Sequence, residues 1–314
     1  MRAVVLSSFD STAQVMDAPM PTPRDDEFLV RVMAASINAF DWKIAQGMLT
    51  NNFQFDFPVV IGRDFAGVIA DAGAKAEGFA IGDAVFGFGT GNRLHHGSLA
   101  EYLPTGDACL VAKPDDLTFT DAAALPLAGM TALHCVAPLE LQAGQSVLVI
   151  GAAGGVGSVI VQLAHRAGAT VLATGLPEDR DFLIGLGADE VLDYRDDLPS
   201  AVRHRLPQGV DAVIDLVNRG DQFMQFAQLA VTGGAVVSVH RQADPAQLGA
   251  RGLRAINASG TPAEPAELAR LGALAAAGEL SAAVVGSFSL ENAVAGLAHI
   301  REQHVRGKYV IDIA

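Results

Sequence analysis

Val147-Leu148-Val149-Ile150-Gly151-Ala152-Ala153-Gly154-Gly155-Val156-Gly157 is the most informative segment of the chain. A run of apolar residues, typical of a buried strand, passes through a glycine-rich turn directly into a segment with helical periodicity. One face of that helical segment is apolar, formed by Val156, Ile160, Leu163, Ala164 and Ala167. Glycines in such a turn provide both the tight bend and the clearance that a pyrophosphate needs to approach backbone N–H groups at a helix N-terminus.

The spacing of the turn is GxxGxxG, with Ala153 where the strict dinucleotide-binding fingerprint has glycine. On its own this spacing is weakly specific, and a tight strand-to-helix turn without a ligand is the alternative interpretation. The strand before the turn and the amphipathic helix after it favour a dinucleotide site.

Apolar strands alternate with helical patterns around this turn. The predicted strands are Ser146 to Ile150, Thr170 to Thr174, Ala212 to Leu216 and Ala235 to Val239, and an alanine-rich helix is predicted from Asp121 to Val136. Near-continuous apolar strands with intervening helices indicate an α/β fold with a doubly wound parallel sheet. Before about Lys113 the chain instead offers short β-rich runs punctuated by Gly, Pro and Asp, which predict a compact β-rich module.

The C-terminal part has two helical patterns, Glu264 to Ala277 and Leu290 to Gln303, and a closing strand from about Tyr309 to Ile313. A closing strand needs a partner, so we expect the chain to return to the β-rich module. The predicted domains are therefore a discontinuous β-rich catalytic domain, residues 1–120 and 281–314, and a dinucleotide-binding domain, residues 121–280.

Composition narrows the function classes. Half of the 314 residues are apolar, and 35 acidic against 21 basic residues give a net charge of −14, which disfavours nucleic acid and anionic membranes as partners. Cys109 and Cys135 are isolated in apolar stretches and are predicted to be small core residues. The short apolar run at the N-terminus does not resemble a signal peptide, no apolar segment reaches membrane-spanning length, and the reducing cytoplasm is the expected compartment.

The identity of the dinucleotide depends on the end of the second strand of the sheet. Sites that prefer NAD usually carry Asp or Glu there, to bind the ribose 2′-hydroxyl, whereas this chain has Thr174-Gly175. Arg180 follows as a possible partner for a 2′-phosphate, although Glu178 and Asp179 could pair with it instead. This pattern favours NADPH over NADH.

Several further motifs agree with one known family in order and spacing. They are Ala35-Ser36-Ile37-Asn38-Ala39-Phe40-Asp41-Trp42-Lys43, Pro58 to Val68, Gly82-Asp83-Ala84-Val85-Phe86-Gly87, Ala122 to Thr131, the glycine turn, and Gly307-Lys308-Tyr309-Val310. Over nearly its full length the chain resembles the zinc-independent quinone oxidoreductases of the medium-chain dehydrogenase/reductase superfamily. The resemblance implies a GroES-like catalytic domain, a Rossmann domain, an active-site cleft at their junction and, commonly, a homodimer.

Zinc-dependent relatives carry a cysteine near the Asn38 region and Gly-His-Glu where this chain has Gly62-Arg63-Asp64. Neither ligand set is present, and two isolated cysteines could not form the structural zinc site of those relatives. His95-His96 is an adjacent pair in a predicted loop, and such neighbours seldom converge on one metal without further ligands. We therefore expect no metal site.

The resemblance also assigns candidate cofactor-binding residues. It places Ala153, Gly154, Gly155 and Val156 on the pyrophosphate, and Thr174, Gly175, Arg180 and Tyr194 around the adenosine phosphate. Thr131 is expected beside the nicotinamide carboxamide, Ser238 and Val239 along the nicotinamide, and Asn38 and Lys308 near the cofactor.

The expected reaction is hydride transfer from NADPH to a quinone or to the β-carbon of an α,β-unsaturated carbonyl. Asn38, Asp41 and Lys43 are the candidate catalytic residues. Asn38, Lys43 or a bound water could donate hydrogen bonds to the carbonyl oxygen, and an Asp41–Lys43 ion pair could shape the cleft. A plain surface or structural pair is the alternative for the last two. Phe40 and Trp42 occupy the segment where many relatives have a tyrosine, so the sequence identifies no proton donor.

Other interpretations stay open at this stage. Asp64 and Asp215 could be acid–base residues or could hold backbone turns. Phe53, Phe55 and Phe57 could form an aromatic pocket wall or alternate as core residues leading to Pro58. Two other functions are compatible with the sequence, namely an alcohol dehydrogenase or carbonyl reductase of the same fold and a non-catalytic NADPH-binding sensor or interaction protein.

Overall fold

The computed structural model describes residues 1–106 and 108–313, which form eighteen strands and ten α-helices. The strands are β1 (Arg2–Leu6), β2 (Gln14–Asp17), β3 (Phe28–Ser36), β4 (Gln54–Phe55), β5 (Val59–Val60), β6 (Asp64–Ala72), β7 (Ala84–Gly89), β8 (Arg93–Leu94), β9 (Tyr102–Pro104), β10 (Ala108–Ala112), β11 (Ser146–Ile150), β12 (Thr170–Gly175), β13 (Glu190–Asp193), β14 (Val210–Asp215), β15 (Ala230–Ser238), β16 (Arg254–Asn257), β17 (Val284–Ser289) and β18 (Lys308–Asp312). The helices are α1 (Ala39–Ala45), α2 (Phe119–Ala124), α3 (Pro126–Val136), α4 (Gly155–Arg166), α5 (Arg180–Gly185), α6 (Leu198–Arg205), α7 (Gly220–Ala227), α8 (Pro245–Gly249), α9 (Pro265–Ala276) and α10 (Ala293–Glu302).

The chain divides into two compact units. Unit 1 contains Met1–Leu127 and the chain from Pro262 onwards, and unit 2 contains Ala128–Thr261. The boundaries therefore fall at 127/128 and 261/262, against predicted limits of 120/121 and 280/281. Helix α9 belongs to unit 1 because it packs against β10, and a Cβ at its Gly272 would lie 2.7 Å from the ring of Phe86.

Unit 1 is built on a seven-stranded sheet in which β10, β7, β6, β3, β18 and β17 lie side by side and β9 also pairs with β3. The closing strand β18 runs antiparallel to β3, with Val310 opposite Ser36, so the chain end does return to the β-rich module. Apolar side chains of β3, β6 and β18 form a common core with residues of α10, among them Val30, Phe65, Leu297 and Ile311.

Unit 2 contains a six-stranded, fully parallel sheet with strand order β13-β12-β11-β14-β15-β16. This order is that of a doubly wound Rossmann sheet. In such sheets the ligand crevice lies at the carboxyl ends of the strands where the order reverses, which is between β11 and β14 here. The predicted α/β fold class is confirmed in both its β-rich and its Rossmann part.

Two local predictions were wrong in detail. The helix predicted from Asp121 to Val136 is two helices, because Pro126 cannot donate a backbone hydrogen bond and instead begins α3. The buried face of α4 also differs from the predicted one: Ile160 and Ala164 are buried as expected, but the fully buried set includes Gly157 and Val161 instead of Val156. The glycine turn rotates the helix so that Val156 lies at its accessible first turn.

Cys109 and Cys135 are both buried free thiols, as predicted. Burial raises the pKa of Cys109 to about 11 and that of Cys135 to about 12, so neither is a reactive thiolate at neutral pH. None of the helices that the structure describes is both long enough and apolar enough to cross a lipid bilayer.

Candidate functional site

The glycine turn connects β11 to α4 in unit 2. Gly151 follows the last strand residue with φ +83°, a left-handed conformation that glycine adopts without strain. Its N–H donates to Thr174 Oγ1 at 3.0 Å, which ties the turn to the end of β12. Gly154 is then the N-cap of α4 in an extended conformation, so the N–H groups of the first helical turn point out of the helix end.

Gly157 and Gly154 of the turn differ in whether the protein's own packing requires glycine. A Cβ at Gly157 would lie 2.3 Å from the carbonyl oxygen of Gly151, so the packing of helix against strand requires glycine there. A Cβ at Gly154 would meet nothing nearer than Gly151 O at 3.7 Å, an ordinary contact. The protein's own packing therefore does not require glycine at 154, and the free space in front of the helix N-terminus fits a bound pyrophosphate.

The end of β12 carries residues that were predicted to lie around the adenosine phosphate. Thr174 is buried, and its hydroxyl holds the turn instead of facing a ligand. A Cβ at Gly175 would lie 2.8 Å from Leu183 Cδ1 and 3.1 Å from Asp179 Cβ, which explains the glycine. Asp179 is buried and accepts the N–H of Leu176 at 2.8 Å, while Arg180 is the exposed first residue of α5.

The neighbouring strand β13 adds an arginine that the sequence reading missed. Gly175 lies opposite Asp193 in the parallel register, and Tyr194, which follows, is 46% exposed. Arg195 Nε donates to both carboxylate oxygens of Asp193, at 2.9 and 3.1 Å, and this contact lowers the pKa of Asp193. Arg195 thus neutralises the one carboxylate that the register brings beside Gly175. Its adjacency to Tyr194 was the available signal.

The residues predicted to lie near the nicotinamide, other than Asn38 and Lys308, are on other elements of unit 2. Thr131 is a buried residue of α3. Ser238 ends β15, and its buried hydroxyl accepts the N–H groups of His240 and Gln242, at 3.1 and 3.2 Å. Val239, the next residue, is half-buried at the carboxyl edge of the sheet. Ser238 therefore shapes the loop after β15.

A buried polar network in unit 1 is centred on Asp64, the first residue of β6. Its Oδ2 accepts hydrogen bonds from Ser36 Oγ and Asn38 Nδ2, both at 2.8 Å, and its Oδ1 accepts the N–H of Leu127 at 3.1 Å. Lys308 Nζ lies 3.5 Å from Oδ2, and both side chains are almost fully buried. Asp64 holds three chain segments together, so the interpretation of this residue as a local turn former was wrong.

Asn38 and Lys308, which were both expected near the cofactor, contact each other. Lys308 Nζ donates to Asn38 Oδ1 at 2.6 Å and to the carbonyl oxygen of Ile37 at 3.2 Å. Burial lowers the pKa of Lys308, and the charges of Asp64 and Asp41 oppose this effect. Asn38 is thereby fixed from both ends of its amide, because its Nδ2 donates to Asp64.

Asp41 is 1% exposed, which was not expected for half of a surface ion pair. Its Oδ2 accepts the N–H of Asn38 at 2.7 Å and caps α1, and its Oδ1 has no hydrogen-bond partner among the described residues. Burial raises the pKa of Asp41 to about 7, the cap opposes the rise, and the charge of Asp64 adds to it. Lys43 is half-buried, with Nζ 5.5 Å from the centre of the Trp42 ring.

Arg63 is a second residue that the sequence reading passed over. It is 7% exposed, its guanidinium carbon lies 4.1 Å from the centre of the Phe40 ring and 5.1 Å from that of Phe53, and its Nη2 donates to Gly91 O at 2.8 Å. Gly62 precedes it with φ +105°, and a Cβ there would collide with Ser98 and Leu99. The position of Arg63 in Gly62-Arg63-Asp64 gives no sign that the arginine is buried, because the aromatic rings that cover it come from other segments.

The other open residues have clear positions. Asp215 ends β14 and accepts the N–H groups of Val217 and Asn218, so it holds a turn. Phe55 and Phe57 pack with Phe9 in a partly exposed aromatic cluster, whereas Phe53 contacts Phe40. Within residues 1–106 and 108–313 no group of three or more His, Cys, Asp or Glu side chains could hold a metal ion.

Two family models match the chain. The alcohol dehydrogenase GroES-like domain matches residues 24–115, and a model described as zinc-binding dehydrogenase matches residues 186–311. These matches fall mainly on unit 1 and on the later part of unit 2, respectively.

Individual relatives and a solved structure are also similar to the chain. A chloroplast envelope quinone oxidoreductase homolog from Arabidopsis thaliana is 34% identical over 248 residues, 76% of this chain and 74% of the plant protein. An NADPH-dependent alkenal/one oxidoreductase from the same plant is 34% identical over 233 residues, 72% of this chain but only 58% of that protein. The structure of the quinone oxidoreductase from Coxiella burnetii superposes with a TM-score of 0.89 at 31% identity, covering 100% of this chain and 99% of that one. The chain belongs to the zinc-independent quinone oxidoreductase family of the medium-chain dehydrogenase/reductase superfamily.

Proposed function

We propose that this protein is an NADPH-dependent, zinc-independent oxidoreductase that transfers hydride to a quinone or to the β-carbon of an α,β-unsaturated carbonyl. The observation that carries the proposal is the glycine turn, because Gly154 leaves space before an uncovered helix N-terminus that the protein's own packing does not fill. The relatives named above as quinone and alkenal/one oxidoreductases support the acceptor class.

The residues of unit 2 fit a nicotinamide dinucleotide. Backbone N–H groups from Ala153 to Val156 would hold the pyrophosphate, and Thr131, Ser238 and Val239 are assigned to the nicotinamide end. The bound dinucleotide supplies the hydride, and the protein supplies position and electrostatics. Ser238 acts through the loop that its hydroxyl holds, at His240 and Gln242.

Preference for NADPH is supported by the charges at the adenosine end. Thr174 and Gly175 offer no carboxylate to a ribose 2′-hydroxyl, and Asp193, which lies opposite Gly175, is engaged by Arg195. The cationic side chains of Arg180 and Arg195, with the Tyr194 hydroxyl, would then receive a 2′-phosphate.

In unit 1 we propose that Asn38, Asp41 and Lys43 serve the acceptor. As negative charge develops on the carbonyl oxygen, hydrogen-bond donors stabilise it, and Asn38 and Lys43 can donate. Asn38 is already oriented by Asp64 and Lys308, so its amide does not have to reorganise during the reaction. Asp41 caps the helix that carries Lys43 and holds the N–H of Asn38. The proton that completes enone reduction would come from solvent.

The test is anaerobic oxidation of NADPH, followed at the nicotinamide absorbance, with a panel of quinones and enones. The same panel is run with NADH and in the presence of a metal chelator. Turnover that prefers NADPH and resists the chelator is the expected result.

Each component of the proposal has its own contrary outcome. Turnover that requires added zinc would favour an alcohol dehydrogenase or carbonyl reductase instead. Saturable NADPH binding without turnover across the whole panel would favour a sensor or interaction role. Equal turnover with NADH and NADPH would contradict only the proposed 2′-phosphate site, not the proposed hydride transfer.

A further inference from the structure

Unit 1 contains a cavity of about 410 Å³, which is large enough for a small organic molecule. Its wall is rich in basic side chains: Arg24, Arg63, Arg93, His95 and His96. In a protein with a net charge of −14, three arginines at one cavity are unusual, although Glu27 and Asp56 line the same wall. Apolar surface from Leu94, Leu103 and Pro104 completes the lining.

Two of the arginines already have carboxylate partners in the cavity wall. Arg24 Nη2 lies 2.7 Å from Glu27 Oε1, and Arg93 forms an ion pair with Asp56. Both arginine side chains are mostly exposed, so these pairs are surface ion pairs of small energetic value. Their positive charges are largely compensated, and they do not themselves require a ligand.

Arg63 differs from them in burial and in partners. Its only hydrogen bond among the described residues is from Nη2 to Gly91 O, and the rings of Phe40 and Phe53 cover its guanidinium. Its Nε is buried without an acceptor, and Arg63 forms no ion pair among the described residues, although the charges of Asp41 and Asp64 act on it. A buried cation with an unsatisfied N–H is costly, and an anion in the cavity would satisfy it.

We propose that the cavity binds a small organic carboxylate, with the guanidinium of Arg63 as its charge contact. A carboxylate matches the planar donor edge of a guanidinium, and the apolar part of the wall requires an organic body instead of a bare inorganic anion. Residues of unit 1 alone line the cavity, and the proposed carboxylate site rests on neither the dinucleotide site nor the hydride transfer.

The test is isothermal titration of the full-length protein with benzoate, and with two comparison probes, benzamide and inorganic phosphate. Benzamide has the same shape without the charge, and phosphate has the charge without the organic body. Benzoate is expected to bind saturably and at least ~10-fold more tightly than benzamide, a difference of about 1.4 kcal/mol. Phosphate is expected to bind more weakly than benzoate.

Substitutions at Arg63 and Gly89 test whether benzoate binds in this cavity and contacts Arg63. Arg63→Met is expected to lose at least ~10-fold in benzoate affinity, whereas Arg31→Met, which removes the same charge from an exposed position of β3 outside the cavity, keeps wild-type affinity. Gly89→Val provides an independent variant, because a Cβ at Gly89 meets no atom within 4 Å and Gly89 lines the cavity. Gly89→Val is expected to reduce benzoate binding although Arg63 is intact. It therefore tests the site even if Arg63→Met does not fold.

Three results would overturn the proposal: equal affinity for benzoate and benzamide, unchanged benzoate binding in both folded Arg63→Met and Gly89→Val, and binding of phosphate in preference to benzoate. None of these results depends on NADPH turnover, so a failure here is distinguishable from a failure of the proposed function.

Discussion

Asp41 is the residue whose chemistry departs most from its ordinary behaviour. Its pKa of about 7 in the folded protein lies above the ordinary value of 3.8, so between these pH values the folded state holds a proton that the unfolded state releases. The stability contributed by neutral Asp41 is fully present below about pH 4 and is lost as pH rises to about 7. The slope approaches about 1.4 kcal/mol per pH unit within this window.

Asp41→Asn is therefore expected to be more stable than wild type at pH 8 and to lose much of the pH dependence between 4 and 7. The asparagine keeps an acceptor for the N–H of Asn38, whereas Asp41→Ala removes the cap and costs about 1 kcal/mol. Urea unfolding at pH 4, 5, 6, 7 and 8 measures this. The charged groups that act on Asp41 are Asp64, Lys308 and Arg63, and parallel curves for wild type and Asp41→Asn would contradict a raised pKa at Asp41.

Lys308 and Asp64 form a buried ion pair at 3.5 Å, so removing one partner leaves the other charge uncompensated. Lys308→Met is expected to lower the free energy of unfolding by about 3 kcal/mol, and adding Asp64→Asn should recover part of that loss. The matched control is Lys75→Met, because the exposed pair of Lys75 with Asp25 at 2.8 Å is worth less than about 1 kcal/mol. Similar losses in the two single lysine variants would refute a structural role for the buried pair.

Arg195 is expected to determine the choice between NADPH and NADH. Arg195→Gln removes a cation and uncovers the Asp193 carboxylate beside Gly175, so the KM for NADPH should rise about 10-fold while the KM for NADH changes little. Arg205→Gln is the control, since Arg205 forms a comparable exposed pair with Glu190 at the other end of β13. Equal changes in both KM values would place the 2′-phosphate elsewhere.

The two residues that were missed, Arg63 and Arg195, share a physical reason. Each depends on partners that are distant in sequence or on strand register: Arg63 on Phe40, Phe53 and Gly91, Arg195 on the alignment of β13 with β12. Local pattern gives the identity of a charged residue but neither its burial nor the neighbours that folding brings beside it.

At the scale of elements, substitutions in the turn between β11 and α4 are expected to affect thermal stability and NADPH binding separately. Gly154→Ala is expected to leave the melting temperature within about 1 °C of wild type, because its Cβ meets only an atom at 3.7 Å, and to weaken NADPH binding at least ~10-fold by occupying the space for pyrophosphate. Gly157→Ala should lower stability as well, because its Cβ would lie 2.3 Å from a backbone carbonyl. Thermal unfolding and fluorescence titration with NADPH measure the two effects. Unchanged NADPH affinity in a folded Gly154→Ala protein would remove the turn from the binding site.

Elements were predictable where a single local rule applied. Strand β11, which precedes the glycine turn, was predicted with its observed bounds, because a short apolar run that ends in glycine indicates a buried strand. The break at Pro126 follows from the missing N–H of proline, whereas the buried face of α4 depends on the packing of Gly157 against Gly151. That packing distance cannot be read from periodicity.

At the scale of the whole molecule, the discontinuous course of the chain was predictable from one requirement, namely that the closing strand needs a partner. β18 pairs with β3. This pairing brings Lys308, the first residue of β18, into contact with Asn38, which lies just after β3. The same topology places α9 in unit 1, which periodicity could not show because an amphipathic helix packs equally well on either unit.

Stereospecific label transfer tests the proposed hydride transfer most directly. NADPH carrying deuterium at the pro-R or the pro-S position of nicotinamide C4 is oxidised in separate anaerobic reactions with the best acceptor of the panel, and the NADP⁺ formed is analysed by mass spectrometry. A single, fixed cofactor orientation predicts complete loss of deuterium from one labelled form and complete retention in the other. Loss from both forms, or no oxidation although NADPH binds, would contradict hydride transfer by this protein.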